Sequence, residues 1–226
     1  MAAGRHCVQL AGRALEYSVV RSQRRSIGLK IDAQGLTVQL PLRVPLTEAE
    51  AVIQRKLAWI MRHLDALPPP RGALDDGSQV AWLGQPRLLR LGAARTRLTE
   101  TELWLQGDTA RADEALVRLL QRSARSHFAE RTALWAGRMG LAPRRVLLTS
   151  ARGRWGSCSA NGDIRLNWRL MQAPPEVIDY VVIHELAHLA ELNHSARFWA
   201  LVEQACPDWR QLRAWLRLNG GELLRL

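Results

Sequence analysis

Two histidines four residues apart, with a glutamate beside the first, make up the segment "HELAH": His184, Glu185 and His188. On an α-helix a four-residue step climbs one turn and returns to within about 40° of its start. Both imidazoles can therefore converge on one ion. Glu185 lies about 100° round the axis from His184 and about 60° from His188. It stands beside the pair without ligating and can reach a water that the ion holds. Two zinc ligands and a general base on one helix are the mechanical content of HExxH.

A catalytic zinc takes three protein ligands and leaves the fourth position to water. His194 follows six residues after His188. In an unbroken helix it would stand about 240° away, on the wrong face. The helix must therefore end between them. Asn193 tolerates the left-handed conformation that closes helices, and Ser195 can cap the next helix. The expectation is a turn near Asn193 that swings His194 back over the ion. Three alternatives stay open: Glu203 in the following helix, Glu191 near the helix end, or no third protein ligand. The spacing HExxH-x5-H is that of metzincins, but Glu191 stands where their glycine does, and no metzincin is inferred.

The elements that must hold these residues follow from periodicity. Residues 17–41 read as β, with "IGLKI" and "LTVQL" alternating across a "DAQG" turn. Thr47 and Glu50 form a capping-box pattern at the head of an amphipathic helix over 47–67. "PPPRG" stops it and reads as a linker. Short β runs return between 78 and 105. Asp108 or Thr109 can cap a long helix over 110–139, with Leu116, Leu119, Leu120, Phe128 and Leu134 on its core face. "RRVLLTS" and "DIRLNWRL" read as strands. Pro174-Pro175 opens the histidine helix, with Glu176 and Asp179 in its first turn and Ile178, Val182, Leu186 and Leu189 on its apolar back. A helix from Ser195 to Ala205 and a last short one ending on glycines complete the chain. The expected fold is α+β: a β-rich N-terminal region with one helix over 1–107, then a second domain over 108–226. No long repeat is visible.

Bulk composition bounds the partners. The 226 residues are 47% hydrophobic and 23% charged, ordinary for a folded protein with a sizeable core. No segment approaches the roughly 18 uninterrupted apolar residues of a membrane span, and the N-terminus lacks the apolar run of a secretory leader. A cytoplasmic protein without a membrane partner is expected. Cys7, Cys158 and Cys206 are an odd number at wide intervals, which suggests neither a disulfide framework nor a cysteine zinc knuckle. The net charge of +11 is almost all arginine, Lys30 and Lys56 being the only lysines. Such a surface attracts anionic substrates, nucleotides or nucleic acid, or is simply a solvated basic surface.

"RGRWGSCSANGDIRLNWRL" and "IDYVVIHELAHLAELNHSARFW" together resemble the YgjP-like (DUF45) metallopeptidase-domain family, which is related to SprT-like zincins. "RSQRRSIGLKIDAQGLTVQLP", followed by a helix ending in "AWI", extends the likeness into the N-terminal half. The resemblance implies a minimal zincin of long helix, short sheet, HExxH helix and C-terminal helices. It also implies one zinc ion on His184, His188 and His194, with Glu185 as catalytic acid/base. Many members carry cysteine at the position of Ala187, so cysteine is not a required ligand there.

A zinc-dependent hydrolase acting on peptide or protein substrates is the leading expectation. Its rivals keep the zinc but cleave nucleotide phosphoanhydrides, or make the chain a nucleic-acid-associated, SprT-like protease or binding module. Arg152 and Arg154 in "RGRWGSCS" can orient an anionic group or polarise a carbonyl, or be solvated beside a packed Trp155. Tyr180, one turn before His184, can donate a hydrogen bond in the site, or pack in the core. Cys158 reads as a small buried residue, and the nine tryptophans as core or cap positions. His6, His63 and His127 carry no assigned role.

Overall fold

The computed structural model describes residues 4–10, 13–32, 35–65, 72–107 and 109–226. The chain is α+β and forms two compact units, Met1–Arg71 and Gly72–Leu226. The expected break at 107/108 falls inside the second unit. There Leu89, Leu103 and Leu105 of the β region share one core with Leu116 and Leu120 of the long helix. Most of the proposed "PPPRG" linker and the tip of the "DAQG" turn lie outside the described residues.

The first unit holds β1 (Gly4–Leu10), β2 (Arg13–Ser22), β3 (Gly28–Asp32) and β4 (Gly35–Pro41). Their order is β1-β2-β4-β3, with β2 and β4 parallel and the outer pairs antiparallel. Alternation in β4 becomes burial: Leu36, Val38 and Leu40 point inward. β1 was not expected, since only Val8 and Leu10 of its second half are apolar. α1 (Leu46–Arg55) and α2 (Leu57–Asp65) add Ile53 and Ile60 to this core. The single expected helix is thus divided at Lys56, whose N–H is shared between the carbonyls of Val52 and Ile53. Nor does the capping box form. Pro45, extended, precedes the first turn, and no side chain caps it. Glu50 instead accepts a hydrogen bond from the Tyr17 hydroxyl at 3.3 Å.

The second unit opens with β5 (Gln79–Trp82), β6 (Gln85–Ala93), β7 (Arg97–Leu98) and β8 (Glu102–Gln106). Their order, β5-β6-β8-β7 with β6 and β8 parallel, repeats the connectivity of the first sheet. No sequence repeat announces it. α3 (Ala112–Met139) follows and buries Leu116, Leu120, Ala124, Phe128, Thr132 and Ala136 at four-residue spacing. Leu119 is partly buried against that core. Leu134, expected in the core, falls off this stripe and is 37% exposed. A 3₁₀ turn, Thr109–Arg111, leads into α3; no side chain caps the helix, and Asp108 is outside the described residues. Left-handed Gly140 closes α3.

β9 (Arg145–Thr149), β10 (Gly156–Cys158) and β11 (Asp163–Asn167) form a small sheet in the order β10-β11-β9, with β9 and β11 parallel. β10 was not expected; it is three residues long and carries a glycine. A 3₁₀ turn, Trp168–Gln172, leads to α4 (Pro175–Ala187), α5 (Ala196–Ala205) and α6 (Trp209–Leu223). α4 buries residues on most of its faces, among them Val177, Ile178, Val181, Val182 and Ile183. Such a helix needs neighbours all round. Asp179 lies beyond the first turn, where it was expected, and binds Arg131 of α3 through two bonds of 2.7 and 2.5 Å. α6 runs through Gly220 and Gly221, which were expected to end it. A Cβ on Gly220 would stand 2.8 Å from Cζ2 of Trp155, so this glycine lets the helix approach the indole. Among the described residues no helix is long and apolar enough to cross a membrane.

Arg145 and Asp163 sit opposite each other on β9 and β11 and share two bonds, of 3.0 and 2.5 Å. The Arg145 hydrogen bond holds the Asp163 carboxyl below its ordinary range. A carboxyl with a depressed folded pKa stabilises above its unfolded value of about 4, and that stability is lost as pH falls through the folded value. Asp163→Asn should therefore lower the melting temperature at pH 7. The gap to the parent should narrow as melts are taken down from about pH 4; a constant gap would remove the pair from the account.

Candidate metal centre

α4 presents His184 and His188 from one face, with ring centroids 5.0 Å apart. Regular helix ends at Ala187, and His188 occupies the C-cap position while keeping helical dihedrals. The following N–H groups of Leu189 and Ala190 bond back three residues, to Leu186 and Ala187. This tightening turns the chain off the helix axis. The turn comes earlier than Asn193, the expected stop. Asn193 is not left-handed either; Leu83 is the one non-glycine with positive φ among the described residues. The Asn193 Oδ1 instead accepts from the Ser195 N–H at 3.2 Å, and the Ser195 Oγ accepts from the Phe198 N–H at 3.3 Å. These two caps start α5 immediately after His194 and direct its imidazole back over α4.

The three imidazoles meet. One nitrogen from each of His184, His188 and His194 lies within 4.8 Å of the others. His184 and His194 face each other Nε2 to Nε2 at 3.1 Å. Tetrahedral zinc with bonds of about 2.0–2.1 Å would hold two such donors roughly 3.3 Å apart. His188 Nδ1 lies 3.1 Å from the Glu191 carbonyl. Donation there leaves the Nε2 lone pair free, the usual arrangement of a metal-bound imidazole. Burial, then His188 and His194, lower the His184 pKa to about 3. Burial also lowers that of His194. With His184 and His194 held towards the neutral form and their Nε2 atoms facing each other, the donor set fits a metal. Phe198, fully buried, packs against all three rings at centroid distances of 4.9, 4.5 and 4.8 Å. The alternative ligands are engaged elsewhere: Glu203 pairs with Arg210 at 2.7 Å and Glu191 with Arg197 at 3.1 Å.

Glu185 is 5% exposed. It rests against Gly156 of β10, where a Cβ would come within 2.7 Å of its Cγ and Cδ. Only glycine leaves the carboxylate this place. Burial raises its pKa to about 8, against the opposing pull of Arg154; a bound cation would draw it back down. Glu185 and His184 both line a cavity of about 770 Å³. Tyr180 lines it too, its ring in edge-type contact with that of His184 at a centroid distance of 6.0 Å. Burial pushes its hydroxyl up to about 12, so it stays a proton donor.

Of the two arginines singled out in the sequence, Arg154 lines this cavity and Arg152 does not. Arg152 donates to the Leu224 carbonyl at 3.1 Å and lines a separate cavity of about 220 Å³. Cys158 is half-buried, and burial raises its pKa, which does not favour a nucleophilic thiolate. Arg210, Arg213 and Arg217 of α6 also line the main cavity. The sequence reading missed them, although their spacing marks one helical face.

The profile of the family described as YgjP-like, metallopeptidase domain, matches residues 25–219. None of the curated proteins matches the chain. Two crystal structures of metallopeptidase zymogens share limited similarity. Abylysin of Pyrococcus abyssi is 23% identical, with a TM-score of 0.37 over 39% of this chain and 90% of its own. Jannalysin of Methanocaldococcus jannaschii is 17% identical, with a TM-score of 0.35 over 40% of this chain and 96% of its own.

The Ser195 cap holds the third imidazole, so its loss should be felt at the metal. Ser195→Ala should cost about 1 kcal/mol in thermal or urea unfolding of the metal-free chain. Chelator competition should show zinc affinity weakened about tenfold or more, with Ser195→Thr retaining both properties. Unchanged affinity in the alanine variant would separate the cap from the site.

Proposed function

Because the chain belongs to the YgjP-like metallopeptidase-domain family, we propose that it hydrolyses peptide bonds using one zinc ion on His184, His188 and His194, with Glu185 as general base. The metal-dependent hydrolase class follows from the family. The convergence of three imidazoles, one of which shares a cavity with the Glu185 carboxylate, carries the rest. A purely structural metal has no use for that carboxylate.

Bound there, zinc supplies Lewis acidity towards water and carbonyl oxygens alike. The chain's own groups do the remainder. Glu185, fixed between α4 and Gly156, takes a proton from the attacking water and returns it to the leaving amine. Tyr180, protonated, and Arg154 face the same cavity and can donate hydrogen bonds to the oxygen on which charge develops. His188 is held by the Glu191 carbonyl and His194 by the start of α5, so the imidazole geometry is set before substrate arrives. Arg152 is left out of the site: it anchors Leu224.

Two variants test the base. Glu185→Gln should keep zinc, read by atomic absorption, and lose about 10²–10⁴-fold in peptide turnover. Full activity in that variant would remove Glu185 from catalysis. Gly156→Ala should also keep zinc and displace the carboxylate, with a loss near 10²-fold. Nucleoside triphosphates assayed beside the peptides decide the phosphoanhydride alternative: Glu185-dependent release of phosphate without peptide cleavage would replace the present reading.

A further inference from the structure

The cavity that holds His184 and Glu185 has one carboxylate in its wall and four guanidinium-bearing residues, Arg154, Arg210, Arg213 and Arg217. Arg210 is paired with Glu203. Arg154, Arg213 and Arg217 have no carboxylate partner within ion-pair distance among the described residues, and all three are exposed to the cavity side of solvent. They come from different elements. Arg154 precedes β10, next to the Gly156 cradle, while Arg213 and Arg217 stand one turn apart on α6. Arg213 lies over the Trp199 ring at 5.4 Å, and Trp199 in turn packs 5.8 and 5.7 Å from the His184 and His194 rings. This arginine is therefore one aromatic ring away from the metal-binding imidazoles. Such a set of unpaired guanidinium groups favours an anion between them.

Resting on the peptidase reading above, we propose that Arg154, Arg213 and Arg217 form the specificity wall of the site and select peptides with aspartate or glutamate side chains beside the scissile bond. The dimensions suit an extended peptide. Side chains on one side of a strand recur about every 6.6–6.8 Å, and residues one helical turn apart, like Arg213 and Arg217, are separated by about 5–6 Å. Two alternate acidic side chains can thus meet two successive arginines, with Arg154 across the cavity beside Glu185. The apolar part of the wall, Trp155, Val181 and Leu216, receives the aliphatic stems and intervening residues. Arginine is the suited partner because its planar fork takes a carboxylate through two parallel bonds.

The test uses the zinc-loaded full chain and matched fluorogenic octapeptides that differ only around the cleaved bond: Asp/Glu, Asn/Gln or Lys. The acidic set should lead the neutral set in kcat/KM by about tenfold at low salt, and the lead should shrink as salt screens the pairs. The ratio of acidic to lysine peptide should invert in Arg213→Glu/Arg217→Glu, an outcome that misfolding cannot produce. A second arm needs no turnover. Fluorescence anisotropy of labelled Asp/Glu, Asn/Gln and Lys decapeptides on zinc-loaded Glu185→Gln should give tightest binding for the acidic one, again lost in the charge-reversed protein. If no peptide is cleaved but the acidic one binds selectively, the peptidase reading fails and the arginine wall stands as an acidic-peptide site. Equal binding of all three peptides, or a ratio unmoved by charge reversal, overturns the proposal. So does a nucleoside triphosphate that displaces the acidic peptide and is itself hydrolysed by the parent chain.

Discussion

His184 and His188 converge because a helix brings every fourth residue back to one face; His194 can join them only because the helix stops. α4 gives up regular hydrogen bonding at Ala187, within a residue of the second imidazole. Two successive three-residue bonds then bend the chain away. The meeting of the third imidazole with the first two depends on this short stretch. One more turn of helix would carry His194 to the far side, and an earlier stop would release His188 from the pitch that aligns it with His184.

The remainder of the second unit holds that stretch still. α4 is apolar on most of its faces, so it is surrounded: α3 clamps it through Arg131–Asp179, and Phe198 of α5 fills the space beneath all three rings. β10 contributes a glycine where a side chain would collide with Glu185. Trp155 beside it leans on a second glycine, Gly220, and so ties the small sheet to α6. Burial of the Glu185 carboxylate and the His184 imidazole opposes their ionisation. Around them stand one carbonyl on His188 and two facing nitrogens, from His184 and His194, at a spacing that a bound cation would fit.

Much of this was legible in the sequence, and the misses have physical causes. HExxH needs only helix pitch, and α4 is long and strongly apolar, so His184, Glu185 and His188 could be placed beforehand. Ser195 was readable as a cap because its role is local. Asn193 was assigned a left-handed turn on propensity; the actual turn is made earlier by backbone bonds available to any residue. Thr47 and Glu50 had capping-box spacing, but Tyr17 from another strand takes Glu50. Arg152 and Arg154 looked equivalent, two residues apart, until the fold sent one to Leu224 and the other into the cavity. The arginines of α6 were hidden for the same reason: a stripe of charge on a helix reads as a solvated face until something packs opposite it. The repeated sheet connectivity was invisible because it is a property of strand pairing and not of residue identity.

The central claim is that three imidazoles, one of them supplied by the turn after α4, hold a single metal ion with a position left for water. Zinc K-edge X-ray absorption on the reconstituted full-length chain measures this directly. The account expects three imidazole nitrogens and one oxygen at about 2.0–2.1 Å, falling to two imidazoles in His194→Ala. A sulfur ligand at about 2.3 Å, or a spectrum unchanged by that substitution, would contradict it.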